Sequence, residues 1–234
     1  MKRPESWKAR TAVLLAAVVP LIAAGASVPA RPLPDAGPAI AVLHYDGGGD
    51  WYANPSALPN LLAEARARTG IDFVERPATV RLDDTALRDY PYLYLTGHGN
   101  IALSEADVVR LRAWLQDGGF LHADDNYGLD ESFRREMAKV FPGDAWVELP
   151  SDHGVYHAFY DLEGLPKVHE HDGAPPQGLG LFHEGRLAVF YSFESDLGDG
   201  WEDADVHGDA EAVREAAFRM GVNLLVYALG QAAG

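Results

Sequence analysis

Cysteine is absent from this chain of 234 residues. That excludes disulfides, thiolate-bound zinc and a cysteine nucleophile. Basic residues are scarce, with 19 Lys and Arg against 35 Asp and Glu and a formal net charge of −16. Such a surface repels nucleic acid and anionic lipid. Any anionic ligand would need a metal or a local basic pocket, whereas neutral or cationic ligands fit directly. No internal repeat or low-complexity tract interrupts the sequence, and no apolar stretch after residue 28 is long enough to span a membrane.

The chain opens with Lys2, Arg3, Lys8 and Arg10, followed by an uncharged apolar run from Thr11 to Ala26. Ala24-Gly-Ala26 and Val28-Pro-Ala30 are small-residue cleavage sites. Residues 1–30 therefore read as an export signal, with a retained membrane anchor as the alternative. Residues 31–38 form a Pro-rich linker, and residues 39–230 a single α/β domain. Cleavage after Ala26 removes four of the 19 basic residues and one of the 35 acidic ones. The remaining 208 residues carry fifteen basic against 34 acidic side chains, a net charge of −19. The expected location is periplasmic or extracellular, with membrane contact only through an uncleaved N-terminal segment.

Apolar runs alternate with helical patterns along the rest. Ala39 to Tyr45, Ile71 to Val74, Tyr92 to Leu95, Phe120 to Ala123 and Trp146 to Leu149 read as strands. Gly178 to Phe182 and Arg186 to Phe193 form a hairpin turning at Glu184-Gly185. Helices are expected after Asn54-Pro55, behind a Ser104/Asp107 capping box, behind a capping Asp130 and from Ala210 to Ala228, with a brief one over Asp83 to Asp89. This order predicts a three-layer α/β fold with a mostly parallel, doubly wound sheet.

Four acidic, glycine-rich and aromatic loops follow the strands: His44 to Tyr52, Thr96 to Asn100, His122 to Gly128 and Tyr191 to Asp203. In an open parallel sheet, ligands bind beyond the carboxyl ends of the strands. The loops supply Asp50, Trp51, His98, Asp124, Asp125, Glu194, Asp196 and Trp201 as candidate ligand-binding residues. His98, Asp124 and Asp125 are the candidates for acid–base work. Gly47-Gly-Gly49 lacks the spacing and the Lys-Ser/Thr pair of a nucleotide loop. His98 is presented between two glycines that leave its ring uncrowded. Asp124 either serves a ligand or divalent metal, or caps the next helix. His122 reads either as a partner of that site or as a core histidine. Glu194, Asp196, Asp199, Glu202 and Asp203 offer oxygen ligands without EF-hand spacing. His153 and His157 lie four apart but lack the Glu of the zinc-protease signature.

The runs Tyr92-Leu-Tyr-Leu-Thr-Gly-His-Gly-Asn100 and Gly118-Gly-Phe-Leu-His-Ala-Asp-Asp125, with Phe133 to Pro142, Asp152-His153, His157 to Asp161 and Ser195 to Glu202, resemble a bacterial family of uncharacterised domains, domain of unknown function 4159. The resemblance covers about residues 39 to 229. It implies a fold similar to class I glutamine amidotransferases and trehalose-utilisation-type proteins, and no established activity. Amidotransferases and their peptidase relatives carry a cysteine or serine on the sharp turn after a central strand. The matching turn here, His122-Ala-Asp124-Asp125, has neither, so amidotransferase activity is not expected.

The missing nucleophile favours a noncatalytic, exported module of the cell envelope that binds a small molecule, a glycan or an envelope protein partner. The alternative is a metal- or carboxylate-dependent hydrolase acting on a neutral, carbohydrate-like substrate, since acids, imidazoles and indoles stand together at strand ends. A structural component of an envelope assembly is a third reading.

Overall fold

The structure, a computed structural model, describes residues 37–169, 171 and 173–232. The expected export signal over residues 1–30 and most of the expected linker over residues 31–38 lie outside the described residues. Seven strands form one sheet in the order β2-β1-β3-β4-β7-β6-β5. β1 (Ile40–Leu43), β2 (Ala78–Val80), β3 (Tyr92–Leu95), β4 (Phe120–Asp124) and β7 (Arg186–Phe193) are mutually parallel. β6 (Gln177–His183) and β5 (Val147–Glu148) add an antiparallel edge. The sheet is mixed and mostly parallel, as the alternation of elements requires.

Two apolar layers explain why the central strands are apolar on both faces. Leu93 and Leu95 of β3 point into one layer with α2 (Glu105–Gln116) and α3 (Asp130–Val140). Tyr92 and Tyr94 point into the other with α1 (Ala57–Thr69) and α6 (Glu211–Ala232). Helices on both faces leave the carboxyl edge of β1, β3, β4 and β7 to the four loops.

Local signals mostly hold. The Ser104/Asp107 capping box is formed in full, and the hairpin turns at Glu184 and Gly185, both at positive φ. The brief helix is a 3-10 turn over Thr85–Asp89. Three expectations need correction. Ile71 to Val74 is not a strand, because its polar groups are satisfied otherwise: Arg66 Nη1 donates to the Phe73 and Val74 carbonyls and the Val74 N–H donates to the Pro38 carbonyl. The edge strand β2 forms later, after Pro77. Asp130 opens α3 without capping it, since its carboxylate pairs with Arg134 instead. The acidic run after β7 is no open loop either. It folds into two short helices, α4 (Leu197–Trp201) and α5 (Ala204–His207). No helix among the described residues is long and apolar enough to cross a membrane.

Candidate functional site

The corner between β4 and β7 is organised by Asp124, which is fully buried at the end of its strand. Its two oxygens accept from four donors: the Ser192 hydroxyl, the Leu197 N–H at 3.1 Å, the Gly198 N–H at 2.6 Å and the Tyr94 hydroxyl at 3.1 Å. A chain of bonds runs back into the core. The Tyr92 hydroxyl lies 3.0 Å from His122 Nδ1, and His122 Nε2 lies 3.0 Å from the Ser192 hydroxyl. Burial lowers the His122 pKa to about 3, so the ring is neutral, with one donor and one acceptor nitrogen. Both are used, which makes His122 a core histidine. Asp124 thus ties the start of α4 to the sheet. It does not cap α3, and its bonding capacity is filled. A side chain at Gly198 would fall 2.6 Å from the Tyr94 hydroxyl and 3.0 Å from Asp124 Oδ2, so only glycine fits beneath this clasp.

The clasp turns α4 and α5 so that their polar side chains meet the segment before β6. His169 Nδ1 lies 2.6 Å from Asp199 Oδ2, and His207 Nδ1 lies 3.4 Å from the same oxygen. The other oxygen of Asp199 accepts from Asn54 of the β1 loop at 2.7 Å. His169 Nε2 faces Asp209 Oδ1 at 3.1 Å, and His207 Nε2 faces Glu202 Oε2 at 3.3 Å. Glu202 is anchored in turn by the Ser56 N–H and hydroxyl, both at 3.1 Å. His169, Asp199 and His207 each offer a donor atom within 4.8 Å of the others, the geometry of residues able to hold a metal ion.

Beside them lies a second set that the fold leaves unsatisfied. Asp125 Oδ1, Asn126 Nδ2 and Asp196 Oδ1 are buried without hydrogen-bond partners. Asn126 is oriented by the Thr96 hydroxyl, which donates to its carbonyl oxygen at 3.0 Å and leaves the amide nitrogen free. His171 Nε2 lies 3.3 Å from Asp196 Oδ2, and the exposed Tyr127 stacks on the His171 ring at 5.3 Å. Crowding raises the acids. Burial pushes Asp124 up to about 6 and also raises Asp125. Asp196 is pushed up to about 10, by burial first and then by the carboxylates of Asp124 and Asp199. Positive charge or a hydrogen-bond donor placed here would relieve all of them.

Backbone strain marks the same edge. Of the five non-glycine residues at positive φ among the described residues, Asn54, Tyr127, Glu194 and Asp196 belong to the loops after β1, β4 and β7. Such conformations cost about 1–3 kcal/mol each and persist where the surroundings enforce them.

The other candidates separate. Asp50 grips His98 through the backbone N–H and through Nδ1 at 3.1 Å, pinning the β1 loop to the β3 loop. His98 is exposed and Asp50 half-buried, whereas Asp124 is fully buried, so the three do not open into one cleft. Trp51 stacks on His44 at 4.1 Å and packs on the core. Trp201 is fully buried, with its indole N–H on the Ala217 carbonyl, and belongs to the core. Glu194 is committed to Lys167 at 2.9 Å. His153 and His157 bond locally, to Val155, Asp161 and Ser151, and do not converge. A groove of about 560 Å³ between the 3-10 turn and α2 holds no unpartnered buried polar atom, so it is the weaker site despite its size.

Asn54, Asn126, Tyr127, His169, His171, His207 and Asp209 were not singled out by the sequence as site residues. His169 and His171 lie in a stretch of weak periodicity, and no local spacing joins them to Asp199 and His207. The one available signal was that five of the chain's nine histidines, His153, His157, His169, His171 and His207, fall after residue 152 outside any expected strand, hairpin or helix.

A mostly parallel α/β sheet with a polar, partly unsatisfied corner at its carboxyl edge defines the class. Residues 39–229 match the family described as Domain of unknown function (DUF4159), and the chain belongs to that family. No curated protein matches it.

Proposed function

We propose that this chain is an exported ligand-binding module of the cell envelope, with its ligand seat at the corner between the β4 and β7 loops. The ligand is a small molecule rich in hydrogen-bond donors, neutral or positively charged. The observation that carries this reading is the convergence of unpartnered buried atoms from separate segments: Asp125 Oδ1 and Asn126 Nδ2 after β4, and Asp196 Oδ1 after β7. A buried polar group without a partner costs about 1–3 kcal/mol, and a ligand that supplies the partner recovers that cost. Acceptors outnumber donors in the seat, and the acidic chain disfavours anions. The exposed Tyr127 ring offers a face on which a sugar or an ammonium group stacks.

A thermal-shift panel tests the reading. Neutral saccharides and amines are expected to raise the midpoint, by about 2.7 kcal/mol of stabilisation at a hundredfold excess over Kd. Asp125→Asn should abolish the shift while leaving the unliganded midpoint nearly unchanged. Stabilisation by polyanions alone, or shifts unaltered in Asp125→Asn, would count against it. Hydrolysis of such a ligand is the second reading, favoured by the imidazoles and carboxylates beside the seat. Turnover of a chromogenic glycoside that disappears in Asp199→Asn would establish it, and no turnover would leave binding as the function.

Export rests on the basic start, apolar core and small-residue sites of residues 1–30. N-terminal sequencing of protein from the producing cells is expected to begin near Ser27 or Arg31. A cytosolic product starting at Met1 would refute it.

A further inference from the structure

We infer that His169, His207 and Asp199 form a binding site for a divalent transition metal of the zinc class. The inference borrows only its neighbour from the ligand seat proposed above. The donors and their supports stand without it.

Three features separate this cluster from an ordinary acidic surface. First, the donor atoms face inward together: both Nδ1 atoms address Asp199 Oδ2, at 2.6 and 3.4 Å. Two ligands about 2.0–2.1 Å from a tetrahedral ion stand roughly 3.3 Å apart. The His207–Asp199 separation already has that value, and a small outward turn of His169 supplies the other. Second, the far atom of every donor is held. Asp209 takes His169 Nε2, Glu202 takes His207 Nε2, and Asn54 takes Asp199 Oδ1. Carboxylates on the outer nitrogen fix the ring and raise its basicity as a metal ligand, which is how metal-binding histidines are commonly supported. Third, Asp196 Oδ1 and Asp209 Oδ2 are buried at the cluster without hydrogen-bond partners among the described residues.

The donor set chooses the metal. Two imidazoles and one carboxylate suit zinc and its neighbours, whereas calcium and magnesium require oxygen ligands throughout. The all-oxygen calcium loop suggested by the acidic run is not assembled: Glu194 is taken by Lys167, and Asp203 accepts from Asn60. Three protein ligands leave one position for water or for a donor atom of the ligand.

The competing arrangement is metal-free, with both imidazoles held by the surrounding carboxylates alone. Titration calorimetry with zinc chloride on chelator-treated full chain distinguishes the two, alongside the visible absorption of the cobalt(II) form. One equivalent of zinc is expected, with a four-coordinate cobalt spectrum. His207→Ala should weaken zinc at least about a hundredfold, and Asp209→Asn, which touches only the outer nitrogen, by about 10–100-fold. His207 lies at the surface of a short helix, so its variant should keep the wild-type circular dichroism. His157→Ala should bind zinc unchanged. No zinc uptake by the wild type at micromolar concentration, or uptake retained in His207→Ala, overturns the site. Zinc binding with no response to the saccharide and amine panel would sink the ligand seat and leave the metal site standing.

Discussion

Replacing Trp201 by alanine is expected to destabilise the fold by about 3–5 kcal/mol, the usual cost of deleting a fully buried aromatic side chain. The indole packs near Tyr94 and His122 at centroid distances of 5.9 and 6.0 Å, between the sheet and α6. Its N–H donates to the Ala217 carbonyl at 2.8 Å, so the variant also loses that bond inside α6's first turns. Trp201 closes α4, which carries Asp199, and precedes Glu202 directly. The loss should therefore reach the metal-binding cluster as well as the core. For a domain of this size, the thermal midpoint should fall by on the order of 10 °C. A loss below about 1 kcal/mol by chemical denaturation would show that the indole is not packed as described.

Asp124→Asn is the second large effect, about 2–4 kcal/mol. Four donors meet the two carboxylate oxygens. Asparagine presents one acceptor oxygen and an NH2 group, so it faces a backbone or hydroxyl donor with a donor, and each orphaned group costs about 1–3 kcal/mol. Were Asp124 a simple helix cap, asparagine would substitute with little loss. The pH dependence has a defined sign. Burial raises this carboxyl from 3.8 to about 6. Between those values the folded state keeps a proton that the unfolded chain has released, so the residue's contribution is full below about 3.8 and is lost as the pH rises through 6. Asparagine does not titrate. The stability gap between wild type and variant should accordingly narrow from pH 4 to pH 7, and a gap that widens would contradict the buried clasp.

The same residues show what the sequence could and could not reveal. Strand and helix periodicity located β1, β3, β4, β6 and β7 and the four long helices, because central strands and amphipathic faces are set by local patterns. It also placed the polar loops at the carboxyl edge, since parallel strands end on one side. It could not apportion roles within them. Asp124 and Asp125 are neighbours in sequence, yet strand alternation sends them to different surroundings: one is saturated by four donors, the other keeps an unpartnered oxygen. Trp201 looked like a ligand wall because acidic residues and glycines surround it, and only the docking of α4 on α6 makes it core. His169 became legible only in three dimensions. Its partners Asp199 and Asp209 and its neighbour His207 lie 30 to 40 residues downstream, and Asn54, which donates to Asp199, comes from the first loop. Ile71 to Val74 failed as a strand for a local reason: Arg66, at the end of the preceding helix α1, satisfies carbonyls that a neighbouring strand would otherwise bind.

The central claim is that the β4–β7 corner is where this chain meets what it binds. Anomalous diffraction at the zinc edge, from crystals of the full chain grown with one equivalent of zinc, measures that directly. The account predicts one strong peak bounded by His169 Nδ1, His207 Nδ1 and Asp199 Oδ2, with Asp209 and Glu202 still on the outer nitrogens. A peak at His153 and His157, at the Asp50–His98 pair, or at none of these residues would contradict it.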